Sequence, residues 1–285
     1  MLTAVITVPV ADVFSEPQPS SLEHQLLLGE SVTVQEKNGG YCRITSYNEQ
    51  YPGWIRKEQC RIYDICEALY AEKNVVMVAD KHIRCYIPNQ RNFLSLLAGT
   101  KVEACDNKGS YLEVLLPSHD NGLIDPEGVI YHQHCSSPQQ IISTAREIST
   151  WEIPYLWGGM TPKGIDCSGL MKLILRLNGT ETFPRDSWQQ YACTTGAQYD
   201  ERTVAHKITD HTTLQPGDMV FFTAPEKEPR VTHVGMMLNS THFLHASKRV
   251  HDATGGRNAL ALSTFVRDSF FDDYYEKYFV GGRRF

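Results

Sequence analysis

The stretch GIDCSGLMKLILRL, residues 164–177, sets a cysteine where a helix should begin. Asp166 precedes Cys167, and Ser168 and Gly169 follow it. Leu170, Leu173, Ile174 and Leu177 then recur at helical spacing, which predicts an amphipathic helix. A helix start gathers unpaired N–H groups and the positive end of the macrodipole, so a thiol there is expected to ionise more readily. The same N–H groups suit an oxyanion. Alone, the pattern leaves Cys167 open to four readings: packing thiol, half of a disulfide, metal ligand or nucleophile.

The flanks supply the fold class. Upstream, SSPQQIISTAREIST (136–150) opens on a Ser-Pro cap signal and continues in helix formers. Downstream come the strand-like runs GDMVFFTA (217–224), THVGMMLNS (232–240) and HFLHASKRV (242–250). A helical layer followed by an antiparallel sheet predicts an α+β domain over 136–285. Residues 1–64 differ. VITVPVADVF, ESVTVQEK, GGYCRITSY and YPGWIRKEQC are short Val-, Ile-, Thr- and Tyr-rich runs broken by Gly-Gly and Pro-Gly. Residues 65–135 repeat the style. LLLGESVTV (26–34) and SLLAGTKVEA (95–104) hold the same place: an apolar patch, a turn glycine and a strand. Two tandem all-β barrels, 1–64 and 65–135, are expected ahead of the α+β domain.

Composition narrows the function classes. The chain has 285 residues, a net charge of −6, 41% hydrophobic and 21% charged residues. No basic run marks a nucleic-acid partner, and no apolar stretch approaches the roughly 20 residues that span a bilayer. MLTAVITVPVADVF has no basic flank and is interrupted by proline, so it reads as a first strand rather than a signal peptide. Eight cysteines are scattered without a CxxC pair, which favours core thiols over disulfides and a reducing, cytoplasmic compartment. His132, His134 and Cys135 in YHQHC offer ligand types without a nearby partner pair, so no metal is expected there. HDATGGR (251–257) lacks the lysine and hydroxyl of a phosphate loop and reads as a surface loop.

A base would decide the reading of Cys167. His233 lies within one predicted strand and His245 near the end of the next, twelve residues on. Asn239-Ser240-Thr241 forms the turn between them. Across an antiparallel hairpin such residues can face each other, so His233 is placed to take a thiol proton and His245 to fix its tautomer.

YLWGGMTPKGIDCSGL (155–170), FPRDSWQQ (183–190), LQPGDMVFF (214–222), THVGMML (232–238) and HASKRV (245–250) together resemble the NlpC/P60 family of cell-wall cysteine peptidases. With two β modules in front, the chain is similar to the YkfC-type γ-D-glutamyl-L-diamino acid endopeptidases, whose leading modules are bacterial SH3-like. The resemblance implies two SH3-like barrels followed by a papain-like core. It implies Cys167 as nucleophile, His233 as base, His245 as orienting residue and Tyr155 as oxyanion support. It also implies substrate contacts at Trp157, Asp166, Ser168, Asp186 and Ser187. In the first module it points to Glu23 and Tyr51 as receivers of the free amine of an N-terminal L-alanine. The second module is the looser match, lacking the GWI ending found at Gly53-Trp54-Ile55. The implied substrate is a murein tripeptide or tetrapeptide, L-Ala-γ-D-Glu-diamino acid, cleaved by a monomer without a cofactor. Two other readings stand beside it: a non-catalytic wall-binding protein, and an amidase or acyltransferase on the same core.

Overall fold

The computed structural model describes residues 2–48, 50–63, 74–131, 137–193, 206–225 and 230–284. Both boundaries expected from the sequence, after residues 64 and 135, lie outside these residues, as do Cys66, His132, His134 and Cys135. Contacts divide the chain into Met1–Gln133 and His134–Phe285.

In the first unit, glycine turns cut β-branched runs into short strands: β1 (Leu2–Ile6), β2 (Val10–Phe14), β3 (Leu22–Leu27), β4 (Ser31–Asn38), β5 (Tyr41–Ser46), β6 (Pro52–Arg56) and β7 (Cys60–Tyr63). They form one antiparallel sheet in the order β3-β2-β6-β5-β4-β1-β7. A second seven-strand set follows: β8 (Val75–Val78), β9 (His82–Ile87), β10 (Asn92–Leu97), β11 (Lys101–Asn107), β12 (Leu112–Leu115), β13 (Asn121–Ile124) and β14 (Val129–Tyr131). Its order, β10-β9-β13-β12-β11-β8-β14, repeats the first strand for strand.

The repeat reaches single residues. Gly29 and Gly99, the turn glycines of the two matching stretches, both have φ of 85°. Their N–H groups donate to Ile6 and Val78 respectively, each at 2.9 Å. The place of Gly53-Trp54-Ile55 is taken in the second sheet by Gly122-Leu123-Ile124. A Cβ on Gly53 would lie 2.3 Å from Val13 Cγ1, and one on Gly122 would lie 2.3 Å from Cys85 Sγ. Both glycines let β6 or β13 cross close over the preceding hairpin.

Of the two SH3-like barrels expected, the structure gives two seven-stranded sheets without closure among the described residues. Each sheet is open, with β3 and β7, or β10 and β14, at its edges, and no pairing among the described residues joins those edges. The last strand of each set pairs with the first strand and so does not close the ring. Only one pair joins β2 to β6, Phe14 opposite Trp54, and one joins β9 to β13, Tyr86 opposite Leu123. Side chains fill the concave face instead. Ile6, Val13, Leu26, Val34, Ile44 and Ile55 form one core. Leu28 of the first set packs into the core of the second, among Val76, Ile83 and Val114. Burying such a leucine contributes roughly 2 kcal/mol. Cys42 and Cys85 are core thiols.

The second unit begins with α1 (Pro138–Ile148). Ser137 caps it, with Gln140 returning the bond and Pro138 at the first turn, as the Ser-Pro signal predicts. The two-residue strands β15 (Met160–Thr161) and β16 (Gly164–Ile165) lead into α2 (Cys167–Leu177), and α3 (Ser187–Ala192) follows. Then come β17 (His206–Ile208), β18 (Met219–Phe222), β19 (His233–Met237), β20 (His242–Ala246), α4 (Lys248–Ala253), β21 (Leu260–Thr264), α5 (Asp273–Lys277) and β22 (Phe279–Arg284). The strands make a six-stranded antiparallel sheet, β17-β22-β18-β19-β20-β21. The apolar face of α2 packs on β19 and β20. Its other face is buried too, against α1 and the loop around Phe183, so the helix is not amphipathic in its surroundings. Lys172 is buried because its ammonium donates to the Phe183 carbonyl.

Candidate active site

Cys167 occupies the first turn of α2 because Asp166 caps that helix. The Asp166 carboxylate accepts the Gly169 N–H at 2.7 Å, three residues on. Its other oxygen accepts the Gly158 N–H at 2.9 Å, tying the 155–159 loop to the helix start. Gly169 permits this approach, since a Cβ there would lie 2.2 Å from the Gly159 carbonyl oxygen. The same loop carries Tyr155, bridged to Ile165, and Trp157, which is 65% exposed.

Cys167 is 7% exposed, and the backbone N–H groups of Val234 and Ser168 lie near enough to favour its thiolate. Val234 follows His233 directly in β19, so the histidine strand runs against the nucleophile's helix start. His233 and His245 meet as the hairpin predicts, with His233 Nε2 and His245 Nδ1 2.9 Å apart. The Asn239 side chain closes the turn by accepting the Thr241 and His242 N–H groups. Gly235 keeps the space open, because a Cβ there would lie 2.8 Å from the Phe243 ring and 3.3 Å from His245 Cβ. With Nε2 engaged, Nδ1 is the remaining ring nitrogen of His233.

The electrostatics depart from the expectation of an acidified thiol. Burial, reinforced by the Asp166 charge, pushes Cys167 up to about 12. The N–H groups of Val234 and Ser168 and the Arg185 charge act in the opposite direction but do not offset it. Burial also pushes His233 down to about 4, against the smaller pull of Asp166, and holds His245 well below its usual value. Aromatic packing is the cause: Tyr275 lies along the His233 ring at 5.9 Å and edge-on to His245 at 5.0 Å. His233 retains a partly exposed edge. The resting pair is therefore neutral thiol and neutral imidazole. Tyr155 is raised by burial and then by Cys167 and Asp166, which keeps its hydroxyl a neutral donor beside the sulfur.

Two residues expected to face substrate turn inward. Asp166 and Ser168 are 5% exposed and belong to a buried network around Arg185. Arg185 Nη2 lies 2.6 Å from Asp166 Oδ2, and Nη1 donates to Ser168 Oγ at 2.8 Å. The Asp166 carboxylate is occupied by two backbone N–H groups, the guanidinium and the Ser168 hydroxyl, leaving it a structural clamp. Asp186 is half-buried at the cap of α3, where its N–H donates to Gln189 Oε1, and Ser187 is 8% exposed. Glu23 lies half-buried on β3 of the first unit, and Tyr51, also half-buried, packs on His24 at 5.4 Å.

Sequence reasoning passed over three residues. Arg185 sits inside the quoted RDS run, and its pairing with Asp166 has no signal in spacing. Ser263 and Tyr275 lie on β21 and α5, far along the chain. Only the sheet register brings Ser263 to His245 and the aromatic packing brings Tyr275 to both histidines.

A thiol at a helix start, against a hairpin carrying a histidine pair, defines a cysteine hydrolase on an α+β core. Residues 152–284 match the NlpC/P60 family, so the chain carries an NlpC/P60 cysteine peptidase domain. Residues 13–59 match the bacterial dipeptidyl-peptidase SH3 domain. The chain is similar to the gamma-D-glutamyl-L-lysine dipeptidyl-peptidase of Bacillus cereus, 28% identical over 80% of this chain and 68% of that one. It is 25% identical to the Bacillus subtilis protein of the same name, over 80% of this chain and 73% of that one. The crystal structure of an NlpC/P60 family protein from Bacillus cereus shares the fold, with a TM-score of 0.81, 20% identity and 99% of each chain covered. The chain is thus a hydrolase of the kind that acts on peptidoglycan peptides.

Proposed function

We propose that this chain hydrolyses the amide between γ-D-glutamate and a diamino acid in peptidoglycan-derived peptides that carry a free N-terminal L-alanine. The observation that carries the reading is the convergence at Cys167: a helix-start thiol that feels the Val234 N–H, with His233, the residue before Val234 in the same strand, 2.9 Å from His245. The relatives named for γ-D-glutamyl-L-lysine cleavage support the substrate class.

The neutral resting pair requires the proton to move as the bond forms. Cys167 Sγ attacks the γ-carbonyl carbon while its proton passes to His233 Nδ1. The oxyanion is held by the Cys167 N–H and the Tyr155 hydroxyl. His233 then delivers the proton to the departing amine, giving a thioester and a free diamino acid residue. Water attacks the thioester with His233 as base, releasing the γ-D-glutamyl product and the thiol. His245 acts through His233 by accepting its Nε2 proton. Trp157, Asp186 and the small exposed part of Ser187 are the substrate candidates in this unit, and Glu23 and Tyr51 are the groups assigned to the free amine.

Mass spectrometry of products from L-Ala-γ-D-Glu-L-Lys and its diaminopimelate counterpart tests the reading. Release of L-Ala-D-Glu by the wild type, abolished in Cys167→Ala, is the expected result. Cleavage at the alanine bond, or persistent turnover in Cys167→Ala, would refute it.

A further inference from the structure

The histidine chain does not end at His245. Its Nε2 lies 3.1 Å from Ser263 Oγ, and Ser263 is 6% exposed. The sheet register explains the meeting. Ser263 of β21 pairs with Phe243, while His245 pairs with Ala261, so Ser263 is the diagonal neighbour of His245 on the same face. Taking the cysteine peptidase reading above, we propose that Ser263 is a positioning residue that sets the proton arrangement of both histidines.

To accept from the thiol, His233 must leave Nδ1 bare and carry its proton on Nε2. That proton is donated to His245 Nδ1 across 2.9 Å. His245 must therefore be bare at Nδ1 and carry its own proton on Nε2, which points at Ser263 Oγ. The opposite tautomer of His245 would set two donors against each other unless His233 also changed. His233 would then present N–H, not a lone pair, to the sulfur. Both rings are boxed by Tyr275, and among the described residues no charged side chain is hydrogen-bonded to either, so the hydrogen-bond partners decide the matter. With Ser263 accepting, the productive arrangement gives a partner to Nε2 of His233 and to both ring nitrogens of His245. Without it, the productive arrangement leaves a buried N–H without its acceptor.

The test uses the full chain with Ser263→Ala, Ser263→Thr and Ser263→Cys. Kinetics on L-Ala-γ-D-Glu-L-Lys should show kcat falling about tenfold or more in Ser263→Ala with KM little changed, a loss milder than that of a direct orienting residue. Ser263→Thr, which keeps the hydroxyl, should recover most of it. Ring-nitrogen NMR of selectively labelled histidine should show the Nε2-bound proton of His245 in the wild type and a mixed tautomer in Ser263→Ala. Iodoacetamide should alkylate Cys167 more slowly in that variant at neutral pH. A folded Ser263→Ala protein with wild-type kcat, or with an unchanged ring-proton pattern, overturns the assignment. If Ser263→Ala does not fold, the near-isosteric Ser263→Cys is read by the same criteria. If the wild type leaves the peptide intact, the substrate reading fails, while the NMR and alkylation results still decide the role of Ser263.

Discussion

Cys167 and His233 are both driven toward their neutral forms by burial, and this fixes how the enzyme should respond to pH. The reactive pair holds a single proton between them. It is lost to double protonation as pH falls through the His233 value, pushed down to about 4, and to full deprotonation only as pH nears the Cys167 value of about 12. The profile of kcat/KM is therefore expected to be flat from about pH 6 to 9, with its acid limb below the 6.5 of an ordinary histidine. A limb centred at or above 6.5 would place His233 in a wetter setting. The same depression makes neutral His233 stabilising above pH 6.5, a contribution lost as pH falls toward 4. Arg185 supplies a second test at this scale. It is 2% exposed and neutralises Asp166, so Arg185→Met leaves a buried carboxylate without its cation. A loss on the order of 3–5 kcal/mol is expected in urea unfolding. Asp166→Asn in the same protein should return part of it, because the stranded charge is then gone. Equal stabilities for the single and double variants would show that the clamp is not electrostatic.

Elements carry the site by close approach, and Gly169 is where that is least forgiving. The atom a Cβ would strike is the Gly159 carbonyl oxygen, which is backbone and cannot rotate away. Gly169→Ala should cost about 1–3 kcal/mol of stability. It should also lower kcat, because relief of the clash moves the Cys167 helix start from the Tyr155 loop. Thermal unfolding and steady-state kinetics on one preparation measure both, and an unchanged kcat would separate loop from nucleophile. The element scale also shows what the sequence could convey. The start of α1, the α2 start at Cys167 and the histidine hairpin were legible because each is set by local spacing: a cap three residues from its donor, a turn between two strands. The burial of all of α2 was not legible, since Lys172 finds its acceptor at Phe183 through tertiary folding. The failure of the two sheets to close was hidden for the same reason. It depends on whether the seventh strand joins the first or the third, and periodicity within a strand says nothing about its neighbour.

At the scale of the whole chain, the repeat of strand order from β1–β7 to β8–β14 makes the first unit two copies of one plan, and residues 13–59, in the first copy, match the SH3 domain of the dipeptidyl-peptidases. The candidates for recognising the substrate's amine, Glu23 and Tyr51, lie in the matched copy. Strand order can be kept while side-chain function diverges, so specificity is expected to reside in the first copy. If Glu23 receives the ammonium of an N-terminal alanine, acetylating that amine removes the charge it reads. Removing one partner of a desolvated charged contact costs roughly 2–5 kcal/mol, and about 1.4 kcal/mol is a factor of ten. N-acetyl-L-Ala-γ-D-Glu-L-Lys should therefore lose at least about tenfold in kcat/KM against the free peptide. Glu23→Gln should lower kcat/KM on the free peptide and leave the acetylated one nearly as before. The ratio between the two substrates is the diagnostic quantity, because a general loss of activity lowers both together. A ratio unchanged by Glu23→Gln would remove Glu23 from recognition, and equal cleavage of both peptides by the wild type would make the enzyme indifferent to the amino terminus.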